Sequence, residues 1–151
     1  METVKDIMIK KFITFDPNSN IEKIAKVMGK MDIGAVVITK DKKPIGIITE
    51  RDMVKRVIAR NLNPKKTKAS QVMTSPVESV SPDANIYHTS KMMQEKGYKR
   101  YPVAKNNKLV GMISQTIFID YFREQRKKFV LKHLNKKLRK HYLWKNFLNL
   151  H

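Results

Sequence analysis

Thr49 and Asp52 stand three residues apart in the segment Gly46-Ile47-Ile48-Thr49-Glu50-Arg51-Asp52. A hydroxyl and a carboxylate at this spacing, where an apolar run turns polar, can do two things. They can cap a helix, since Thr and Asp favour helix starts. They can also hold a ligand: an ionised carboxylate accepts two hydrogen bonds at once, and the N–H groups of a helix N-terminus favour an anion. Arg51 is placed to neutralise phosphate. No catalytic set accompanies them. The histidines, His88, His133, His141 and His151, form no His-Glu-x-x-His pattern. No glycine-rich phosphate loop exists, and the methionines sit at core-like spacings. An enzyme is the least supported class, and no metal is expected.

Composition narrows the field further. The 151 residues include 32 Lys plus Arg, 13 Asp plus Glu and no Cys, for a formal charge of +19. A chain of this length buries roughly 68–70% of its unfolded surface, enough for a core without staples. Without cysteine there is no disulfide scaffold, no thiolate metal site and no Cys nucleophile. The first dozen residues are too charged for a signal peptide. The longest apolar run, Ile33 to Ile38, is far short of a membrane span. The expectation is a soluble, strongly basic, cytoplasmic protein.

The elements that must position Thr49 and Asp52 repeat. An offset of 65 residues brings Met8 onto Met73, Pro17 onto Pro82 and Asn20-Ile21 onto Asn85-Ile86. It also brings Lys26 onto Lys91, Met28 onto Met93, Gly46 onto Gly111 and Ile48 onto Ile113. The spacing of Ile21, Ile24, Ala25, Val27, Met28 and Met31 predicts a helix ended by Gly34. Two strands follow, Ala35 to Thr39 and Ile45 to Thr49, around a turn at Asp41 to Pro44. Glu50 to Arg60 reads as helix again. The second unit predicts a helix over Ile86 to Glu95 with Gly97 as its cap, strands over Arg100 to Ala104 and Leu109 to Ser114 around Asn106-Asn107, then a helix. Each unit is β-α-β-β-α, and Asn61 to Ser70 reads as the linker.

These residues resemble a tandem pair of CBS domains, the Bateman module. Val4-Lys5-Asp6-Ile7-Met8 and Ala69-Ser70-Gln71-Val72-Met73 are similar to the family's opening segment. Asp16-Pro17 and Ser81-Pro82 resemble the turn before its first helix. Gly46 to Asp52 matches its Gly-hydrophobic-x-Thr/Ser-x-x-Asp ligand signature. The resemblance implies an α/β (α+β) fold, with CBS repeats at residues 1–62 and 69–122 packed by pseudo-two-fold symmetry. It also implies a non-enzymatic sensor that binds an adenosyl ligand in clefts between the repeats and associates as a disk-shaped homodimer.

In the first cleft, the resemblance assigns the ribose hydroxyls to Asp52 and a phosphate or ribose oxygen to Thr49. Arg51, Lys99 and Arg100 would add phosphate contacts, and the adenine would lie against Pro76, Val77 and Tyr98. AMP, ADP, ATP, S-adenosylmethionine and NAD all remain open, because one Asp reads only the ribose. The second cleft departs from the pattern. Ser114 keeps the hydroxyl, but the acidic position holds Ile117. Losing a charge-assisted bond costs about 1.5–3 kcal/mol, so this cleft, faced by Phe12, Ile13, Ile33 and Gly34, is expected to be weak or empty.

Beyond the module, residues 123–151 form a basic amphipathic tail. From Tyr121 to His151 there are ten Lys or Arg and one acid, Glu124, a net +9. No Gly or Pro follows Gly111, so a long helix can run unbroken, but its apolar stripe shifts near residues 129–131, where the tail faces two different surfaces or bends. Such a helix can dock on the module, pack on a dimer mate, or contact nucleic-acid phosphates through Arg126, Lys127, Lys128, Lys132, Lys136, Lys137, Arg139 and Lys140. A membrane surface, with Trp144 and Phe147 inserted, is a weaker alternative.

Overall fold

Asn20 and Asn85 cap a helix at the same point of their repeats. In the computed structural model, which describes residues 2–148, the Asn20 side chain accepts from the Lys23 N–H at 2.9 Å. Asn85 accepts from Tyr87 and His88 at 2.9 and 3.1 Å. The helices they start are α2 (Ile21–Met31) and α5 (Ile86–Glu95). The faces carrying Ile21, Ile24 and Met28, and Ile86, Thr89 and Met93, are buried. Thr89 takes the place of Ile24, and its hydroxyl is satisfied by the Asn85 carbonyl at 2.8 Å. Gly97, at φ +68°, follows α5 as expected. Asp32, at φ +51°, is the left-handed residue that ends α2, so the break comes two residues before Gly34. The Asp carboxylate makes this conformation tolerable where most side chains would resist it.

Each helix leads into a hairpin. Strands β2 (Ala35–Lys40) and β3 (Lys43–Thr49) pair antiparallel, as do β4 (Arg100–Lys105) and β5 (Lys108–Ser114). Both turns are two residues long: Asp41-Lys42 at φ 52° and 64°, and Asn106-Asn107 at φ 51° and 61°. Two positive φ angles in a two-residue loop match the right-handed strand twist. The first turn is therefore shorter than Asp41 to Pro44, and Pro44 already lies in β3. The opening strand of each unit is minimal. β1 (Thr14–Phe15) runs parallel to β2; its counterpart is a single bridge from Val80 to Val103.

The two repeats exchange their opening segments. α1 (Val4–Ile7) hydrogen-bonds through the Val4 and Lys5 N–H groups to the carbonyls of Ala84 and Pro82, both 2.9 Å. α4 (Ala69–Val72) does the same through Ala69 and Ser70 to Ser19 and Pro17, at 2.8 and 3.0 Å. Ile9 bridges Met112, and Thr74 bridges Ile47. Ala69 and Val72 are buried in the first repeat's core with Phe15, Ile24, Ile38 and Ile48. The linker is tied down as well: Ile21 N–H donates to the Thr67 carbonyl at 3.0 Å, and Thr67 is buried.

Two helical expectations need correction. The segment after β3 is α-helical only in α3 (Glu50–Asp52) and then continues as a π-helix over Met53–Ile58. Its wider register shows in the Ala59 N–H bond to the Val54 carbonyl, five residues back. The tail is not one helix. α6 (Gln115–His133) stops, and α7 (Lys136–Leu148) starts after Asn135, whose side chain accepts from the Leu138 N–H at 2.9 Å. An Asn cap, rather than Gly or Pro, makes this break, a few residues past the shift in the apolar stripe. The chain divides into two compact units, residues 1–115 and 116–151. The side chains of Trp144, Phe147 and Leu148 lie outside the described residues, as do Leu150 and His151.

Candidate functional site

The strand β3 ends at Thr49 and delivers it, extended at φ −113°, to the start of α3. There Thr49 and Asp52 close on each other. The Asp52 Oδ2 accepts from the Thr49 N–H at 2.9 Å and from its hydroxyl at 2.7 Å. The Asp52 N–H returns a bond to the Thr49 hydroxyl at 3.2 Å. This is a capping box, one of the two uses the spacing allows. The other carboxylate oxygen, Oδ1, faces Arg56 Nε at 3.4 Å, and the Asp52 side chain is only 14% exposed. Arg56 also donates to the Val72 carbonyl at 2.7 Å. So Arg56, four residues on and one helical turn away, is the cation beside Asp52; Arg51 is exposed. The i, i+4 spacing carried this signal in the sequence.

The residues expected to face Thr49 and Asp52 are less gathered. Pro76 and Lys99 are exposed and Val77 is half-buried. Tyr98 is 47% exposed and stands edge-on to Tyr101, with ring centroids 5.4 Å apart. Among the described residues no hydrogen bond or ion pair joins these four to Thr49 or Asp52. Beside them, Glu78 accepts from the Tyr101 hydroxyl at 3.0 Å and is ion-paired with Lys96. The Lys96 ammonium holds the Glu78 carboxyl below its usual range. Burial, reinforced by Glu78, pushes the Tyr101 hydroxyl upward.

The second cleft contains a cavity of about 570 Å³. It lies between the repeats, with Ile13, Ile33 and Ser114 on its wall. A volume of this size is ordinary for a small-molecule site. Phe12, Met31, Val37 and Ile113 make much of the surface apolar. Lys10, Lys11 and Arg100 supply positive charge against a single acid, Asp32. Arg100, expected at the first cleft, lines this one. Gly34 explains its reach: a Cβ there would collide with the Arg100 guanidinium and stand 2.7 Å from Glu50 Oε2. Ile117, at the acidic position of the signature, falls in the first turn of α6.

The offset of 65 sets the two clefts against each other residue by residue. Ile33 corresponds to Tyr98, Gly34 to Lys99 and Ile13 to Glu78. The second cleft has small or apolar groups where the first has an aromatic, a lysine and an ion-paired glutamate. Lys10, Lys11, Met31 and Asp32 are among the lining residues that motif reasoning missed. Their signal was positional: each lies within two residues of Phe12 or Ile33.

In the tail, Arg126, Lys127, Lys128 and Lys132 on α6 and Lys136, Lys137, Arg139 and Lys140 on α7 are all exposed. None of these eight is ion-paired among the described residues, although Arg139 reaches the Leu134 carbonyl at 3.5 Å; nearby, Arg123 is paired with Asp120 at 3.2 Å. No helix among the described residues is long and apolar enough to cross a membrane, and no metal-binding cluster of His, Asp and Glu occurs among them.

Comparison with known proteins agrees with this architecture. The CBS domain model matches twice, at residues 4–59 and 69–124. Protein MK0525 of Methanopyrus kandleri is 37% identical over 114 residues, which are 74% of this chain and 58% of that protein. The CBS domain-containing protein YhcV of Bacillus subtilis is 29% identical over 76% of this chain and 81% of its own length. Among solved structures, the CBS domain pair of protein MJ0100, in complex with 5′-methylthioadenosine and S-adenosyl-L-methionine, is 28% identical. It superposes at a TM-score of 0.74 over 82% of this chain and 98% of that one. The acetoin utilization protein AcuB of Vibrio cholerae reaches 0.76 at 26% identity, over 84% and 94%. Two matched repeats with exchanged opening segments, carrying a cleft between them, make this chain a member of the CBS domain family, in the form of a tandem CBS pair.

Proposed function

We propose that the chain is a non-enzymatic regulatory module that binds an adenosyl ligand between its CBS repeats. The observation that carries this reading is the 570 Å³ cavity on the Ser114 side. Its apolar walls suit a purine ring. The Ser114 hydroxyl suits a ribose or phosphate oxygen. Three cations against one acid favour a ligand with phosphate groups, AMP, ADP or ATP, over the cationic sulfonium of S-adenosylmethionine. A relative with adenosyl ligands bound in its CBS pair supports the general class.

The cleft of Thr49, Arg51, Asp52, Pro76, Val77, Tyr98 and Lys99 is the secondary site in this proposal. Its carboxylate is already engaged by Thr49 and Arg56, and Tyr98 and Lys99 stand at the positions that Ile33 and Gly34 hold in the second cleft. A ligand entering there would share Asp52 with Arg56, which is itself bonded to the Val72 carbonyl of α4. That linkage offers a route by which occupancy reaches the exchanged segment, provided the ligand binds the two arrangements unequally. A homodimer is supported by apolar Val54 and Ile58, 56% and 72% exposed on the π-helix, with Leu62 beside them.

The test is isothermal titration of AMP, ATP and S-adenosylmethionine into the whole chain. One nucleotide per chain, bound more tightly than S-adenosylmethionine, supports the reading; no binding by any of the three refutes it. A second reading gives the tail a nucleic-acid partner, supported by its eight exposed cations without acidic partners among the described residues.

A further inference from the structure

Phe129 is an exposed aromatic ring in the middle of a cationic helix face. Its side chain is 64% exposed. One turn on, the His133 ring lies against it, with centroids 4.2 Å apart and planes inclined by 36°. His133 Nδ1 is 2.7 Å from the Phe129 carbonyl oxygen. A carbonyl only accepts, so Nδ1 carries the proton, and this bond fixes the imidazole beside the phenyl ring. Gln125, Arg126, Lys128 and Lys132 surround Phe129 along a shallow recess of about 490 Å³. Aromatic rings interleaved with cations on one face combine the two elements that single-stranded nucleic acids use: a flat surface for a base and positive charge for the backbone.

We propose that this face of α6 binds single-stranded nucleic acid, with a base stacked on Phe129 and phosphates on Arg126, Lys128 and Lys132. The proposal rests on the tail's reading as a nucleic-acid contact and specifies its site and strand form. Charge selects this occupant. A second copy of the tail would bring its own +9 onto the same face and be repelled. A duplex offers phosphates but hides its base faces, leaving Phe129 with nothing to stack on. Gln125, with both donor and acceptor atoms, can bond a base edge from the rim of the recess.

The test uses the whole chain and fluorescein-labelled oligo(dT) and oligo(U) of about 15 nucleotides, followed by anisotropy between about 50 and about 300 mM salt. A duplex of the same length and phosphatidylserine vesicles serve as competitors. The single strands are expected to bind more tightly than the duplex. Phe129→Ala should weaken binding roughly tenfold and Phe129→Tyr should leave it near the starting value, since only the first removes the ring. Replacing Arg126, Lys128 and Lys132 by Ala should flatten the dependence of log K on log salt by about 2. Unchanged circular dichroism in each variant separates these effects from unfolding. Binding that survives Phe129→Ala undiminished, or that the duplex matches, overturns the stacking site alone. No binding to any nucleic acid at the lowest salt overturns the underlying reading as well. Displacement by vesicles with no effect of competing oligonucleotide would replace it with a membrane surface.

Discussion

Met73 of the second repeat lies over Gly46 of the first, and Met8 of the first lies over Gly111 of the second. A Cβ at Gly46 would run into the Met73 sulfur and stand 2.9 Å from its Cγ; one at Gly111 would stand 2.7 Å from the Met8 sulfur and 3.0 Å from the Ile9 carbonyl. The two contacts are related by the 65-residue offset at both ends. Each glycine is small because a methionine from the other repeat's opening segment needs the space. These contacts, with the bridges from Ile9 to Met112 and from Thr74 to Ile47, fasten the repeats so that a cleft can persist between them.

Gly46→Ala should therefore overpack the crossing and destabilise the chain by about 1–3 kcal/mol. Shortening the facing side chain with Met73→Ala should relieve part of that cost. The double variant is expected to be more stable than the sum of the singles by at least about 0.5 kcal/mol. Urea denaturation of the four proteins measures the cycle; strict additivity would mean that Met73 and Gly46 do not sense each other.

Asp52 has a structural role whatever it binds. Asp52→Ala leaves the Thr49 N–H without its acceptor and Arg56 without its carboxylate, and should cost about 0.5–2 kcal/mol. Asp52→Asn keeps an acceptor for Thr49 and should cost less. Thermal unfolding distinguishes them. Equal loss in both would place the stabilisation in the ion pair with Arg56 rather than in the capping box.

The cationic wall of the cavity predicts a graded preference. Affinity should rise from AMP to ADP to ATP, and Arg100→Ala should flatten the series, weakening ATP about tenfold as one charge-assisted bond is lost. Competition binding at fixed salt provides the comparison. A variant that discriminates among the three nucleotides as the parent does would remove Arg100 from the phosphate contacts.

The Glu78–Tyr101 pair predicts opposite behaviour at the two ends of the pH scale. Glu78 has its folded pKa depressed by Lys96; its contribution is present above the ordinary carboxylate range and is lost as pH falls through the folded value. Tyr101 has its folded pKa raised by burial and by Glu78. Its contribution is present below the ordinary phenol value of about 10 and is lost as pH rises beyond it. Glu78→Gln should flatten the acid limb of a stability–pH curve, and Tyr101→Phe the alkaline limb. An alkaline limb unaltered in Tyr101→Phe would exclude this phenol as its source.

Local elements were legible because local chemistry decides them. Asn20 and Asn85 mark the starts of α2 and α5, and Asn106-Asn107 marks a turn that needs two positive φ angles. The exchange of α1 and α4 was not legible, since Val4 and Ala84 are joined by a bond that leaves no nearby pattern. The break between α6 and α7 had its signal in Asn135, an N-cap residue inside a run free of Gly and Pro. The Thr49–Asp52 motif was visible, but its engagement with Arg56 depends on the folded turn. The lining of the second cavity was legible only in part: the offset contains the comparison of Ile33 and Gly34 with Tyr98 and Lys99, and a ligand signature does not.

The most direct test of the account moves side-chain bulk across the offset. Ile33→Tyr places in the second cleft the residue that the first already carries. Isothermal titration of ATP is expected to show one site in the parent chain, weakened at least about tenfold in Ile33→Tyr and retained in Asp52→Ala at a temperature where that variant is folded. ATP binding lost in Asp52→Ala and intact in Ile33→Tyr would contradict the account and assign the ligand to the cleft of Thr49 and Asp52.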